Sequence, residues 1–186
     1  MEITFYTVST PDQVQQILNL QALNHVSSVS PAVAQEQGFV TVKHDPDVLQ
    51  RMNLEAPSVI ACDGNKVVGY ALVMPRSFAA YIPILQPMFD LLDTLSWKGQ
   101  ELKDHTRWFV MGQICVAEGY RGMGVFDGMY AKMKEVCRKD YDFVITEIAE
   151  RNTRSLRAHE RVGFQTLHTF SDAVANEDWR VVIWEF

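Results

Sequence analysis

Three glycines, Gly119, Gly122 and Gly124, stand between a short apolar run and an amphipathic one. Residues 110–117 (Val-Met-Gly-Gln-Ile-Cys-Val-Ala) are mostly apolar and β-prone, which predicts a buried strand. Glycine permits positive φ and lets the backbone approach a ligand closely. From Val125 onward, Val125, Met129, Met133 and Val136 form an apolar helical stripe, with Phe126, Tyr130 and Cys137 alongside. A strand feeding a glycine-rich turn feeding a helix start gathers free N–H groups and the positive dipole end at one point, which suits an anion. A second residue with chemical potential is Glu147, a carboxylate in the strand-like stretch 141–149, which is mostly apolar from Phe143 onward. Such a carboxylate either handles protons or pairs with a nearby cation, Arg151 or Arg154.

The anion can be narrowed. A nucleoside triphosphatase loop needs Gly-Lys-[Ser/Thr] at the helix start, and here Gly124 is followed by Val-Phe-Asp. A dinucleotide fold wants G-x-G-x-x-G with an acidic residue about 20 further on. Gly122 and Gly124 supply two of those glycines, the third is missing, and Glu147 sits near the required distance. The third option is Arg121-Gly-Met-Gly-Val-Phe126, which resembles the R/Q-x-x-G-x-G/A pyrophosphate loop of the GCN5-related N-acetyltransferases. Arg121 and Gly124 match that pattern, whereas Phe126 stands where the family usually carries Gly or Ala.

A second segment points the same way. Asn152-x-x-Ser155-x-x-x-His159-Glu160-Arg161-Val162-Gly163-Phe164 resembles the family's later N-x-x-[A/S]-x-x-x-Y-E-K-x-G-F. Asn152, Glu160, Gly163 and Phe164 match, Arg161 replaces Lys, and His159 replaces a frequent Tyr. The resemblance covers residues 57–74 and 107–170 well, and the first 50 residues and 75–107 poorly. It implies acetyl-CoA as co-substrate and direct attack of a primary amine on its thioester in a ternary complex. By the same resemblance, Ile114, Cys115 and Val116 line the pantetheine arm, with an N–H near Val116 polarising the thioester carbonyl. Arg121, Gly122, Met123, Gly124, Val125 and Phe126 hold the pyrophosphate, and Asn152 bonds pantetheine or caps its own helix.

Acetyl transfer to an amine needs proton removal from the amine, stabilisation of the carbonyl oxygen and protonation of the leaving thiolate. Glu147 is the candidate base, with ordered water and the loop residue Glu118 behind it. A helix from Asn152 puts Leu156, His159 and Gly163 on one face, so His159 points toward the strands. It is a general acid, a hydrogen-bond partner of coenzyme A, or a half-buried histidine satisfied by backbone. A non-catalytic acyl-CoA-binding module and, further off, a dinucleotide-binding domain are the competing readings.

Elements must position these residues. Residues 3–8 are β-branched and aromatic, a first strand; Ser9 or Thr10 caps a helix with Pro11 at its first position, running to about residue 25. Residues 26–45 carry no clear pattern, and the resemblance places substrate-side loops there. Residues 45–52 read as a short capped helix. Residues 57–63 and 66–74 are strands joined by the Asp63-Gly64-Asn65 hairpin turn. The segment 75–107 is extra to the family fold and contains a helix over 87–95; its Phe78, Tyr81, Phe89 and Trp97 line a substrate pocket, form a local core or make a dimer surface. Strands follow at 141–149, 164–170 and 179–186, a helix spans 152–162, and 171–178 reads as a polar loop. The one helix between the fourth and fifth strands (110–117 and 141–149) makes those strands parallel by a right-handed crossover.

The expected architecture is a single α/β (α+β) domain over residues 1–186. Its mixed, mostly antiparallel central sheet has about 6–7 strands, with the parallel fourth and fifth splayed and helices on both faces. A chain of 186 residues with 47% hydrophobic residues can bury one such core. The net charge of −6 argues against a nucleic-acid partner and suits a cationic amine, small molecule or peptide. Cys62, Cys115 and Cys137 lie in apolar runs and read as unpaired thiols of a reducing, cytoplasmic setting. No Cys-x-x-Cys or His-x-x-x-His spacing predicts a metal, no apolar run predicts a membrane span, and no signal peptide is evident. A homodimer is a family-level expectation.

Overall fold

The computed structural model describes residues 2–28, 30, 40–173 and 176–186. The loop reading of 26–45 therefore falls partly outside the described residues. The alternation of β-branched and aromatic side chains at Ile3–Thr7 forms strand β1. Helix α1 (Pro11–Asn24) starts in a capping box, with Thr10 accepting from the Gln13 N–H and the Gln13 side chain reaching back. Helix α2 (Pro46–Glu55) starts on Asp45, whose Oδ1 accepts from the amides of Asp47 and Val48. Strands β2 (Val59–Asp63) and β3 (Lys66–Met74) pair antiparallel around Gly64 at φ +59°.

The segment after β3 holds two 3-10 turns (Arg76–Tyr81 and Pro83–Leu85), helix α3 (Gln86–Thr94) and a two-residue hairpin of β4 (Ser96–Trp97) and β5 (Gln100–Glu101). Lys98 and Gly99 both have positive φ at that tip, the demand of a type I′ turn. Phe78 and Phe89 are buried in the main core, Tyr81 is exposed under the Arg51 guanidinium, and Trp97 donates to Glu185. None of the four aromatic residues borders either opening described below. Phe78 and Phe89 extend the core on the α1 face of the sheet.

Strand β6 (Trp108–Val116), helix α4 (Val125–Cys137), strand β7 (Phe143–Ala149), helix α5 (Thr153–Val162) and strands β8 (Gln165–Asp172) and β9 (Glu177–Glu185) complete the chain. The seven-stranded sheet has the order β1-β2-β3-β6-β7-β9-β8, with β6 and β7 parallel and every other pair antiparallel. Helices α1, α2 and α3 pack on one face over Ile60, Tyr70, Leu72, Val110, Ile145 and Val181. Helices α4 and α5 pack on the other over Val59, Ala71, Phe109, Val144 and Val182. Where the polar run 171–178 predicts a loop, Ser171↔Asp178 and Asp172↔Glu177 continue the β8–β9 ladder. Polar side chains at the exposed end of a hairpin need no burial, so the ladder outruns the hydrophobic pattern.

Two departures from regular pairing create the site. Parallel pairing of β6 with β7 stops after Val110↔Ile145, and beyond it β6 stays with β3 while β7 stays with β9. The two strands fork. In the same place β6 carries a bulge: Ala71↔Ile114 and Val73↔Met111 leave three steps on β6 against two on β3. An extra residue reverses the facing of everything after it. Trp108 and Val110 face α1, and so do Gln113 and Cys115.

Candidate functional site

The mouth of the fork is a cleft of about 690 Å³. Ile114, Cys115 and Val116 form one wall, the loop from Tyr120 to Asp127 another, and Asn152 with the start of α5 the third. Ala117 donates its N–H to Val68 O on β3. Amides alternate along a strand, so the N–H groups of Val116 and Ile114 face away from β3, into the fork.

The loop takes its shape from its glycines. Gly119, Gly122 and Gly124 have φ of +86°, +78° and +77°. Gly124 precedes the first turn of α4 without any side-chain cap. The first helical bond runs from Gly128 N–H to Gly124 O, so the amides of Val125, Phe126 and Asp127 have no partner within the helix. Those donors and the dipole end border the cleft. Asp127 would oppose an anion there, but its carboxylate is held at 2.9 Å by Arg161.

Each residue singled out from the sequence has a definite place. Arg121 is fastened rather than loose: its Nε donates to Val116 O at 3.0 Å and its Nη2 to Asn24 Oδ1 at 2.6 Å. It locks the loop to β6 and α1 while its guanidinium borders the cleft. Phe126 keeps helical φ and lays its ring against Tyr130 and His159 at 5.1 and 5.0 Å, so its bulk follows the helix. Gly122, Gly124 and Val125 border the cleft. Met123 does not; its side chain is 51% exposed, because a loop with alternating positive φ turns that residue outward. Asn152 caps α5 by accepting from the Ser155 N–H at 3.2 Å and also borders the cleft.

His159 is 1% exposed. Its Nδ1 lies 2.8 Å from Ser155 O, an atom that only accepts, so Nδ1 carries the proton. Nε2 then accepts from the Tyr130 hydroxyl at 2.7 Å. Burial pushes the imidazole pKa down to about 4. Both ring nitrogens are committed inside the protein, and neither presents a proton to the cleft. The general-acid expectation for His159 thus meets a buried, neutral ring.

Glu147 is placed differently. Strand alternation puts it with Phe143 and Ile145 on the α1 face, opposite α5. It borders a smaller opening of about 90 Å³ that shares Val40, Ile114, Asn152 and Ser155 with the main cleft. Its Oε1 is buried with no hydrogen-bond partner. Burial, aided by the negative charge of Asp172, raises its pKa to about 7. Of the two arginines that were candidate partners, Arg151 is paired with Glu177.

Two features escaped sequence reading. Arg154, Arg157 and Arg161, spaced by three and four on α5, line the cleft together with Arg121. That spacing was the available signal. Gln113 sits in the bulge with both ends of its amide engaged: Oε1 accepts from Gln21 Nε2 at 2.7 Å and the Tyr70 hydroxyl at 2.6 Å, and Nε2 donates to Val42 O at 2.9 Å. Gln21 in turn accepts from the His44 amide at 2.8 Å. No short-range pattern announces such a network. Among the described residues no group of three His, Cys, Asp or Glu is placed to hold a metal ion.

Known proteins can be set beside this geometry. No curated protein matches the sequence. The fold matches the ribosomal-protein-S18-alanine N-acetyltransferase of Escherichia coli at TM-score 0.64 and 9% identity, over 99% of this chain and 94% of that one. It matches the ribosomal-protein-alanine N-acetyltransferase of Brucella melitensis at TM-score 0.64 and 17% identity, over 98% and 99%. A Salmonella typhimurium structure, yncA with its cofactor acetyl-CoA, matches at TM-score 0.62 and 15% identity, over 98% and 93%. At these identities the likeness is one of fold. A sequence profile of the acetyltransferase (GNAT) family matches residues 30–164, which span both glycine loop and Asn152 segment, and the chain belongs to that family.

Proposed function

We propose that the protein transfers the acetyl group of acetyl-CoA to a primary amine by direct attack in a ternary complex. The observation that carries this reading is the fork: an amide-lined, arginine-walled cleft adjoins a smaller opening bordered by a half-buried carboxylate with one buried, unpartnered oxygen. The cleft fits the cofactor's chemistry. A diphosphate meets the free amides of Val125, Phe126 and Asp127 and the Arg121 guanidinium, and an extended arm finds the unpaired edge of β6. Acetyl-CoA, when bound, supplies an activated thioester.

The chain's own groups do the rest. The Val116 N–H, aimed into the fork, donates to the carbonyl oxygen as it gains charge. Glu147 accepts the proton of the attacking ammonium; a carboxyl with a pKa of about 7 is ionised often enough to act and basic enough to take a proton. His159 holds Ser155 and Tyr130 in place and is a positioning residue. After attack the nitrogen gives up its second proton, which passes through water to the leaving thiolate, so that the amide and coenzyme A thiol form together. The second reading, an acyl-CoA-binding module without turnover, is favoured by the absence of an available proton on His159. Thiol release from acetyl-CoA across a panel of amines, with coenzyme A binding followed by calorimetry, separates the two. Binding without amine-dependent thiol release supports the module.

A further inference from the structure

Charge is divided sharply between the two ends of the site. Arg121, Arg154, Arg157 and Arg161 all border the wide cleft. No Arg or Lys borders the smaller opening among the described residues. That opening offers Glu147 with a bare buried oxygen, the indole of Trp179 and the walls of Val40 and Thr41. Trp179 stands one residue pair beyond Glu147 on the same face, since Ala149 pairs with Trp179 and Glu147 with Val181. Arg151, close by in sequence, is engaged by Glu177.

We infer that the acceptor is an alkylammonium: a primary amine on a slender, unbranched stem with no carboxylate beside the nitrogen. The inference rests on the acetyl-transfer reading and narrows it. A free α-amino acid carries a carboxylate two bonds from its amine. In this opening that group meets Glu147 and, among the described residues, no cation, and like charges at such range are strongly disfavoured. A peptide N-terminus carries its chain on a branched carbon, which is bulkier than a straight methylene stem between Val40, Thr41 and Trp179. A straight methylene stem fits, and the indole accepts both methylenes and a cation. A free diamine and a lysine side chain share this chemistry.

The test uses the full chain saturated with coenzyme A. 1,5-Diaminopentane, the blocked peptide acetyl-Ala-Lys-Ala-amide, L-alanine and Ala-Ala-Ala-amide are titrated by calorimetry, and the same four are assayed for thiol release with acetyl-CoA. At least one of the first two should bind ten-fold or more tightly than both of the last two. Glu147→Gln should remove most of that preference. Which of the first two binds better identifies the source of the stem. Equal or tighter binding of alanine or the free N-terminus, or no binding by either alkylamine, overturns the inference. Selective alkylamine binding without thiol release keeps the inference and removes the transfer reading; thiol release that is best with alanine does the reverse.

Discussion

A carboxyl group with a pKa of about 7 changes protonation state within the range where amines are acetylated, and Glu147 owes that value to burial and to Asp172. If it is the base, the rate constant at saturating acetyl-CoA rises with pH through about 7 and levels above it. Glu147→Gln should erase that inflection and lower kcat by roughly 10²–10⁴-fold, with coenzyme A affinity unchanged by calorimetry. An unaltered pH profile in the variant would exclude the role. Tyr130→Phe tests the positioning role of His159: a buried Nε2 loses its donor, so urea unfolding should show a loss of about 1–3 kcal/mol, while kcat stays within a few-fold. Glu147 was legible in the sequence because a carboxylate interrupting an apolar strand demands an explanation. The position of His159 was legible too, but its partner lies 29 residues away, and the ring's tautomer depends on that partner. Arg121 shows the same limit, since its loop was readable and its bond to Asn24, 97 residues distant, was not.

At the scale of elements, the seven main strands and five helices of the described residues, and the parallel pair, followed from periodicity, capping residues and crossover length, whereas the β4–β5 hairpin and the polar end of the β8–β9 ladder did not. The bulge in β6 did not, because it answers to cross-strand register and to the Gln113 network rather than to any local pattern. That network ties the bulge to residues 42–44, next to the Val40 and Thr41 walls of the smaller opening. Gln113→Leu should therefore raise KM for the amine several-fold while leaving coenzyme A affinity nearly intact, a split visible in steady-state kinetics combined with calorimetry. Equal losses in both would mean general unfolding of the fork. The glycine loop makes the opposite prediction. Gly124 has room for a Cβ but sits at φ +77°, so Gly124→Ala strains the backbone by about 1–2 kcal/mol. If the loop relaxes to relieve that strain, coenzyme A binding weakens about ten-fold or more while the amine KM changes little.

Across the whole molecule, three buried titratable groups couple the site to stability with opposing signs. Burial lowers His44 and His159 to about 4, so between about pH 4 and 6.5 the unfolded chain binds protons that the fold does not. Their stabilising contribution is present above the unfolded pKa and is lost as pH falls through the folded one. Each adds a slope of up to about 1.4 kcal/mol per pH unit in that window. Glu147 runs the other way: raised to about 7, it favours the fold below its unfolded pKa and loses that advantage as pH climbs to 7. The sum is a stability that rises with pH from about 4.5 to 6.5, with one carboxyl working against two imidazoles. Glu147→Gln removes the opposing member. Urea unfolding at pH 5, 6, 7 and 8 should then show a steeper rise for the variant up to pH 6.5. Its stability should exceed that of the parent at pH 8, on the order of 1–3 kcal/mol for relieving a half-buried charge with one unpartnered oxygen. Parallel curves for variant and parent would mean that Glu147 is hydrated and unshifted, and the proton acceptor would then have to be sought elsewhere in the fork.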